Sequence, residues 1–223
     1  MYQKKENCSF KLKNQASGIK HATLRVGITG GIGSGKSTVC RIVHEALGIP
    51  VFYADIWAKK LLNFDPDLRK GIINIFGQES YTPEGEYNRP FVAKSAFSEP
   101  AKLAALNALV HPAVEAESLE WHEHQAELGY PYTLKEAALL VESGSHVYLD
   151  FMIVVTAPET LRIQRVMDRD RLTAEQVRAR MRGQLPEAEK LNLADFIIVN
   201  DGSEMLLPQV WEVHQAILVH SKR

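Results

Sequence analysis

The chain has 223 residues, 45% hydrophobic and 24% charged, a composition that excludes a disordered or fibrous protein and suffices for one core with sizeable insertions. Its 26 Lys and Arg offset 27 Asp and Glu to a formal net charge of −1, so no overall field draws it to nucleic acid or an anionic membrane, and any anion site has to be local. No apolar run approaches the roughly 18 residues that span a bilayer, and two cysteines, Cys8 and Cys40, are too few for a disulfide framework or zinc knuckle, which fits free thiols in the cytoplasm.

Residues 1–23 carry five lysines and one acid, Glu6. They read as a flexible basic extension, with a transit peptide the weaker reading because the segment has no Arg. Leu24–Thr29 is β-prone and runs into a glycine cluster, after which Val39, Ile42, Val43, Ala46 and Leu47 recur at helical spacing until Gly48. Ile49–Tyr53 reads as a second strand, reached after one crossover's length of chain, which makes the sheet parallel. From Ile56 to about Leu128 the spacing is helical, and Pro90, Pro100 and Pro112 divide this insertion into short helices. Three continuous apolar runs, 137–141, 148–155 and 196–199, read as strands buried on both faces. A charged helical region, 159–190, separates the last two, and an amphipathic helix from about Met205 to His220 ends the chain.

Gly30-Gly31-Ile32-Gly33-Ser34-Gly35-Lys36-Ser37 satisfies G-x-x-x-x-G-K-[ST] between a strand and a helix, the context in which that pattern is a phosphate-binding loop. Four glycines in six residues let successive backbone N–H groups turn inward, and the following helix adds its positive dipole end. Gly31 to Thr38 are therefore the expected nucleotide contacts, with Lys36 reaching the β- and γ-phosphates and the Ser37 hydroxyl on Mg²⁺. A dinucleotide fingerprint would need glycine where Lys36 stands, and no Asn-Lys-x-Asp guanine reader occurs. Asp55, Glu142 and Asp150 are candidate carboxylates at strand ends. Asp55 is preferred as the base that accepts a substrate hydroxyl's proton, although it also suits the N-cap of the next helix, and Asp150 reads as structural. Arg165, Arg169 and Arg180 form a positive cluster able to close over a triphosphate, unless Asp168 and Asp170 pair with them on a surface helix. His122 and His124 point apart on a helix and read as surface residues.

These residues resemble the dephospho-CoA kinases from Leu24 to Ser203. The phosphate loop, Ala54-Asp55-Ile56, Leu109-Val110-His111-Pro112, Leu139-Leu140-Val141-Glu142, the lid residues Gln164-Arg165, Arg169, Arg180-Met181 and Gln184, and Asn200-Asp201-Gly202 follow that family's motifs in order. The resemblance implies an α/β P-loop NTPase fold of three layers. Its parallel-sheet core would comprise 24–55, 130–158 and 193–223, its helical acceptor-binding insertion 56–129 and its helical lid 159–192. It also implies transfer of a phosphoryl group from ATP, with Mg²⁺, to the ribose 3′-hydroxyl of dephospho-CoA. Asp55, Lys36 and Arg165 would be catalytic. Asn200 would close the adenine site, and Arg89, His111 and Glu142 would contact the acceptor. The small-molecule acceptor is the expected partner, with the chain a monomer or weak homo-oligomer. Tyr53 departs from the family's first Asp and Ala138 from its Pro, and the basic extension has no counterpart. The competing readings are another P-loop small-molecule kinase, such as one for nucleoside monophosphates, and an ATP-binding regulator.

Overall fold

The computed structural model describes residues 23–221, and the basic extension up to residue 22, with Cys8, lies outside the described residues. β1 (Leu24–Thr29) is buried from Val26 onward and forms the middle of a five-stranded, all-parallel sheet of order β2-β3-β1-β4-β5. Its flanking strands are β2 (Val51–Tyr53), β3 (Tyr132–Glu136), β4 (Phe151–Thr156) and β5 (Phe196–Val199). Because all strands run the same way, their carboxyl ends share one edge, and the change of direction beside β1 opens a crevice there.

On one face α1 (Lys36–Leu47) and α9 (Leu206–Ser221) cover Val26, Ile28, Leu134, Ile153, Val155 and Ile198 with Val39, Val43, Val213 and Ile217. On the other, Phe52, Leu140, Met152 and Val154 are met by Trp57, Trp121 and Leu191. These come from α2 (Ala54–Phe64), α5 (Pro100–Glu127) and α8 (Glu187–Leu193). The insertion has its own core of Ile72, Phe76, Tyr81, Val92 and Ala96, contributed largely by α3 (Pro66–Phe76) and α4 (Arg89–Ser98). Between β4 and α8 stand α6 (Glu159–Asp170) and α7 (Ala174–Met181), whose Ile163, Val166 and Val177 pack beneath Ile32 of the phosphate loop.

Four expectations are corrected. The third strand is Tyr132–Glu136, while 137–141 forms turns closed by Ser143 N donating to Leu139 O and Gly144 N to Val141 O. All five β3 residues are buried, two of them polar in mid-strand. Thr133 is hydrogen-bonded to His122 at 2.7 Å and Lys135 donates to Glu115 at 2.5 Å, so α5 supplies the partners that make a buried polar strand tolerable. His122 is accordingly buried rather than on the surface. β4 begins at Phe151, three residues later than the apolar run suggests, because Ser145–Tyr148 is a 3-10 turn. Asp150 just before it accepts from Arg25 N at 2.7 Å, the structural role expected of it. Finally, α5 is a single helix of 28 residues with Pro112 inside it. Pro90 and Pro100 instead start α4 and α5, where a missing N–H costs nothing.

Candidate active site

The phosphate loop joins β1 to α1 at the carboxyl edge of the sheet. Gly33 and Gly35 have φ of 80° and 95°, a conformation other residues adopt only under strain. A Cβ on Gly33 would stand 2.4 Å from the Arg162 carbonyl oxygen, and one on Gly35 would stand 2.0 Å from Asn200 Nδ2. The loop is thus a backbone cradle with room for nothing of its own. Gly33→Ala is expected to lower the unfolding free energy by about 2 kcal/mol or more and to weaken ATP binding, read by urea denaturation and calorimetry.

The Ser34 hydroxyl is buried at the loop with no partner in the protein, and Ser37 is exposed in the first turn of α1. An unsatisfied buried hydroxyl in a glycine loop that opens a helix fits an anion with oxygen acceptors such as a polyphosphate. Among the described residues no group of three or more His, Cys, Asp and Glu is placed to hold a metal ion.

Lys36 is buried and donates from Nζ to the Gly30 carbonyl at 3.0 Å. Burial pushes its pKa down, with nearby Lys190 acting the same way and Glu136 and Asp55 opposing. Glu136 ends β3 in register with Ile28 and Tyr53 and is only 9% exposed. Burial raises its pKa, Lys36 lowers it, and Asp55 raises it further. Lys36, Glu136 and Asp55 therefore form one electrostatic group at the crevice. Asp55 itself is exposed in the first turn of α2, which starts at Ala54 with Tyr53 as N-cap, so it is neither a cap nor part of the strand.

On the far side of the loop, Arg165 reaches the Gly33 carbonyl and Asn200 Oδ1, each at 3.5 Å, and Asn200 Nδ2 donates to Ser34 O at 2.8 Å. A cavity of about 310 Å³ lies between Gly31 and the helical segment, lined by Arg162, Arg178, Arg182 and Lys190 among others. A lysine-bearing glycine loop opening a helix, a carboxylate pair beside it and arginines opposite make a site for moving a phosphoryl group.

A family model described as dephospho-CoA kinase matches residues 24–205. The dephospho-CoA kinases of Chlorobaculum tepidum and Bacteroides fragilis are 42% identical over 200 residues and 36% identical over 190. The alignments cover 87% and 85% of this chain and 95% and 91% of theirs. The chain belongs to the dephospho-CoA kinase family. The solved dephospho-CoA kinase from Campylobacter jejuni is similar with a TM-score of 0.66 at 30% identity, over 87% of this chain and 97% of that one. The shikimate kinase of Acinetobacter baumannii, with a TM-score of 0.51 at 16% identity over 90% and 96%, shares the fold.

As a member of the dephospho-CoA kinase family the chain is a phosphotransferase. The structure brings Gly31 to Thr38, Asp55, Arg165 and Asn200 to one edge. It splits the expected arginine cluster, because Arg169 and Arg180 both pair with Asp170, at 2.7 and 2.9 Å. Arg89 is exposed at the start of α4, and His111 lies half-buried in α5, where burial lowers its pKa. Glu142 is not at a strand end. It sits in a turn, and its Oε1 receives Lys190 Nζ and Leu185 N, each at 2.8 Å. Burial works to raise its pKa, but the bonds from Lys190 and those amides hold it below the ordinary carboxylate value. It faces the helical segment.

Two site residues escape sequence reasoning. Glu136 is hidden by the misplaced third strand, although an acid closing an alternating run just before an apolar stretch is a signal for it. Arg162 is one of seven arginines in its region with nothing to set it apart, yet it is 6% exposed, pairs with Glu187 at 2.7 Å and lies against Gly31.

Proposed function

We propose that this kinase transfers the γ-phosphoryl group of ATP to the ribose 3′-hydroxyl of dephospho-CoA, giving CoA and ADP. The convergence of Lys36, Asp55 and Glu136 at the carboxyl edge, where the helical insertion leaves the core, carries this reading. Asp55 accepts the hydroxyl proton. The 3′ oxygen forms its bond to the γ-phosphorus as the bond to the bridging oxygen breaks, and ADP departs with that oxygen. Lys36 exchanges the Gly30 carbonyl for phosphate oxygens, regaining solvation for a cation that burial disfavours. Ser37 would hold Mg²⁺, which when bound would supply neutralisation of the triphosphate charge. Arg165 and Asn200 border the nucleotide side, and Arg89 and His111 are the insertion's candidate contacts to the acceptor. Glu136 stands beside Lys36 and opposes the burial that lowers its pKa. Among the described residues no helix is long and apolar enough to cross a membrane. The buried free thiol of Cys40 supports a cytoplasmic enzyme, acting as a monomer or weak homo-oligomer.

The test is ADP release from ATP and Mg²⁺ with dephospho-CoA, AMP, adenosine or no acceptor. Turnover that requires dephospho-CoA is the expected result. Activity with AMP instead would overturn the acceptor and keep the chemistry, and silence with every acceptor would leave an ATP-binding regulator.

A further inference from the structure

The stretch from α7 into α8 is tied to its surroundings by directed bonds from three of its side chains and one backbone amide. Gln184 Oε1 accepts from Ile32 N at 2.9 Å, and its Nε2 donates to Ala138 O at 3.4 Å. The partners fix the orientation of the amide, since a backbone N–H only donates and a carbonyl only accepts. Next to it, Leu185 N donates to Glu142 Oε1, which also receives Lys190. Lys190 is 1% exposed. Glu187 then takes Thr156 Oγ1 at 2.5 Å and Arg162 at 2.7 Å.

What Gln184 holds is the peptide unit between Gly31 and Ile32. The carbonyl of that unit accepts from Ser34 N at 3.0 Å, and its N–H is the group bonded to Gln184. With both polar ends engaged, the plane of the peptide is set. The setting matters here because glycine on either side of Ile32 gives the crest little preference of its own. The partners of Gln184 are turn and loop backbone, and its own backbone is fixed through Leu185 by the Glu142–Lys190 ion pair. The bond therefore transmits the position of the helical segment to the phosphate loop. The electrostatic reach of Lys190 to Lys36 agrees with this closeness.

We infer that Gln184 is a positioning residue for phosphoryl transfer: through Ile32 N–H it sets the crest of the phosphate loop in the curvature that receives the triphosphate, and the Glu142–Lys190 pair holds it in place. This rests on the proposed kinase reading. Gln184 touches no reacting atom, so its loss should act on ATP and leave the acceptor alone.

The test is steady-state kinetics on Gln184→Met, which keeps the length and bulk without the amide, and on Gln184→Asn, whose shorter side chain does not span both partners. In each, KM for ATP should rise by about fivefold and kcat fall, as the loss of one hydrogen bond implies. KM for dephospho-CoA and the thermal midpoint should stay near the values of the unsubstituted chain. A merely structural residue would lower kcat with the folded fraction and leave KM for ATP alone, and that outcome in either folded variant overturns the inference. If Gln184→Met does not fold, Gln184→Asn decides. Should the unsubstituted chain fail to use dephospho-CoA, the proposed function falls by itself, and ATP affinity by calorimetry decides the role of Gln184: weakened in the variants it stands, unchanged it fails.

Discussion

Asp55→Asn will lower kcat by about 10²-fold or more, because a positioned general base contributes that much and Asn has no site for the proton. ATP affinity should change little. Asp55 is exposed at the start of α2, outside the phosphate loop, and Asn keeps its shape and its ability to accept a hydrogen bond. Glu136 is not placed to take over, since it is buried at the end of β3 beside Lys36. Rapid-quench measurement of the chemical step, with ATP affinity by calorimetry, separates the two quantities. A rate within about threefold of the unsubstituted chain would remove Asp55 from proton transfer.

Lys36→Ala will act on binding and chemistry together, with kcat down by about 10²- to 10³-fold, the usual cost of deleting one preorganised charge at a reacting group. Its Nζ is the buried cation of the loop, and no neighbour can replace it: Lys190 is committed to Glu142 and Arg165 lies on the nucleotide side. The variant also strands Glu136, whose raised pKa was being pulled down by Lys36. A carboxyl whose folded pKa lies above its unfolded value stabilises below the unfolded value, and that contribution is lost as pH rises through the folded one. The stability deficit of Lys36→Ala should therefore widen from acid toward neutral pH, read by urea denaturation across that range. Intact ATP affinity in this variant would remove the loop from nucleotide binding.

How much of this was legible depended on how local each interaction is. The phosphate loop, β1 and α1 are readable because Gly30 to Ser37 carry their chemistry in one contiguous stretch, and α9 because its apolar face repeats at helical spacing. β3 was not, because its burial depends on His122 and Glu115, which lie eleven and twenty residues away from Thr133 and Lys135. A polar residue mid-strand argues against a buried strand until its partner is known. The error propagated: with the strand placed at 137–141, Glu142 became a strand-end carboxylate and Glu136 went unnoticed. The arginines show a second limit. Helical spacing puts Arg165 and Arg169 on one face, but Asp170 draws Arg169 and Arg180 outward, and of these three arginines Arg165 reaches the loop.

The central position of β1 orders events during synthesis. Among the described residues it is the first strand made, yet its neighbours are β3 and β4, which follow only after the whole helical insertion. At about 5 to 20 residues per second, β1 leaves the ribosome some 5 to 20 s before β3 can pair with it. Through that interval Val26 and Ile28, later wholly enclosed, have no sheet to join, and the glycine loop behind them has no fixed course. The apolar face of β1 is therefore enclosed only once β3 and β4 have followed the insertion out.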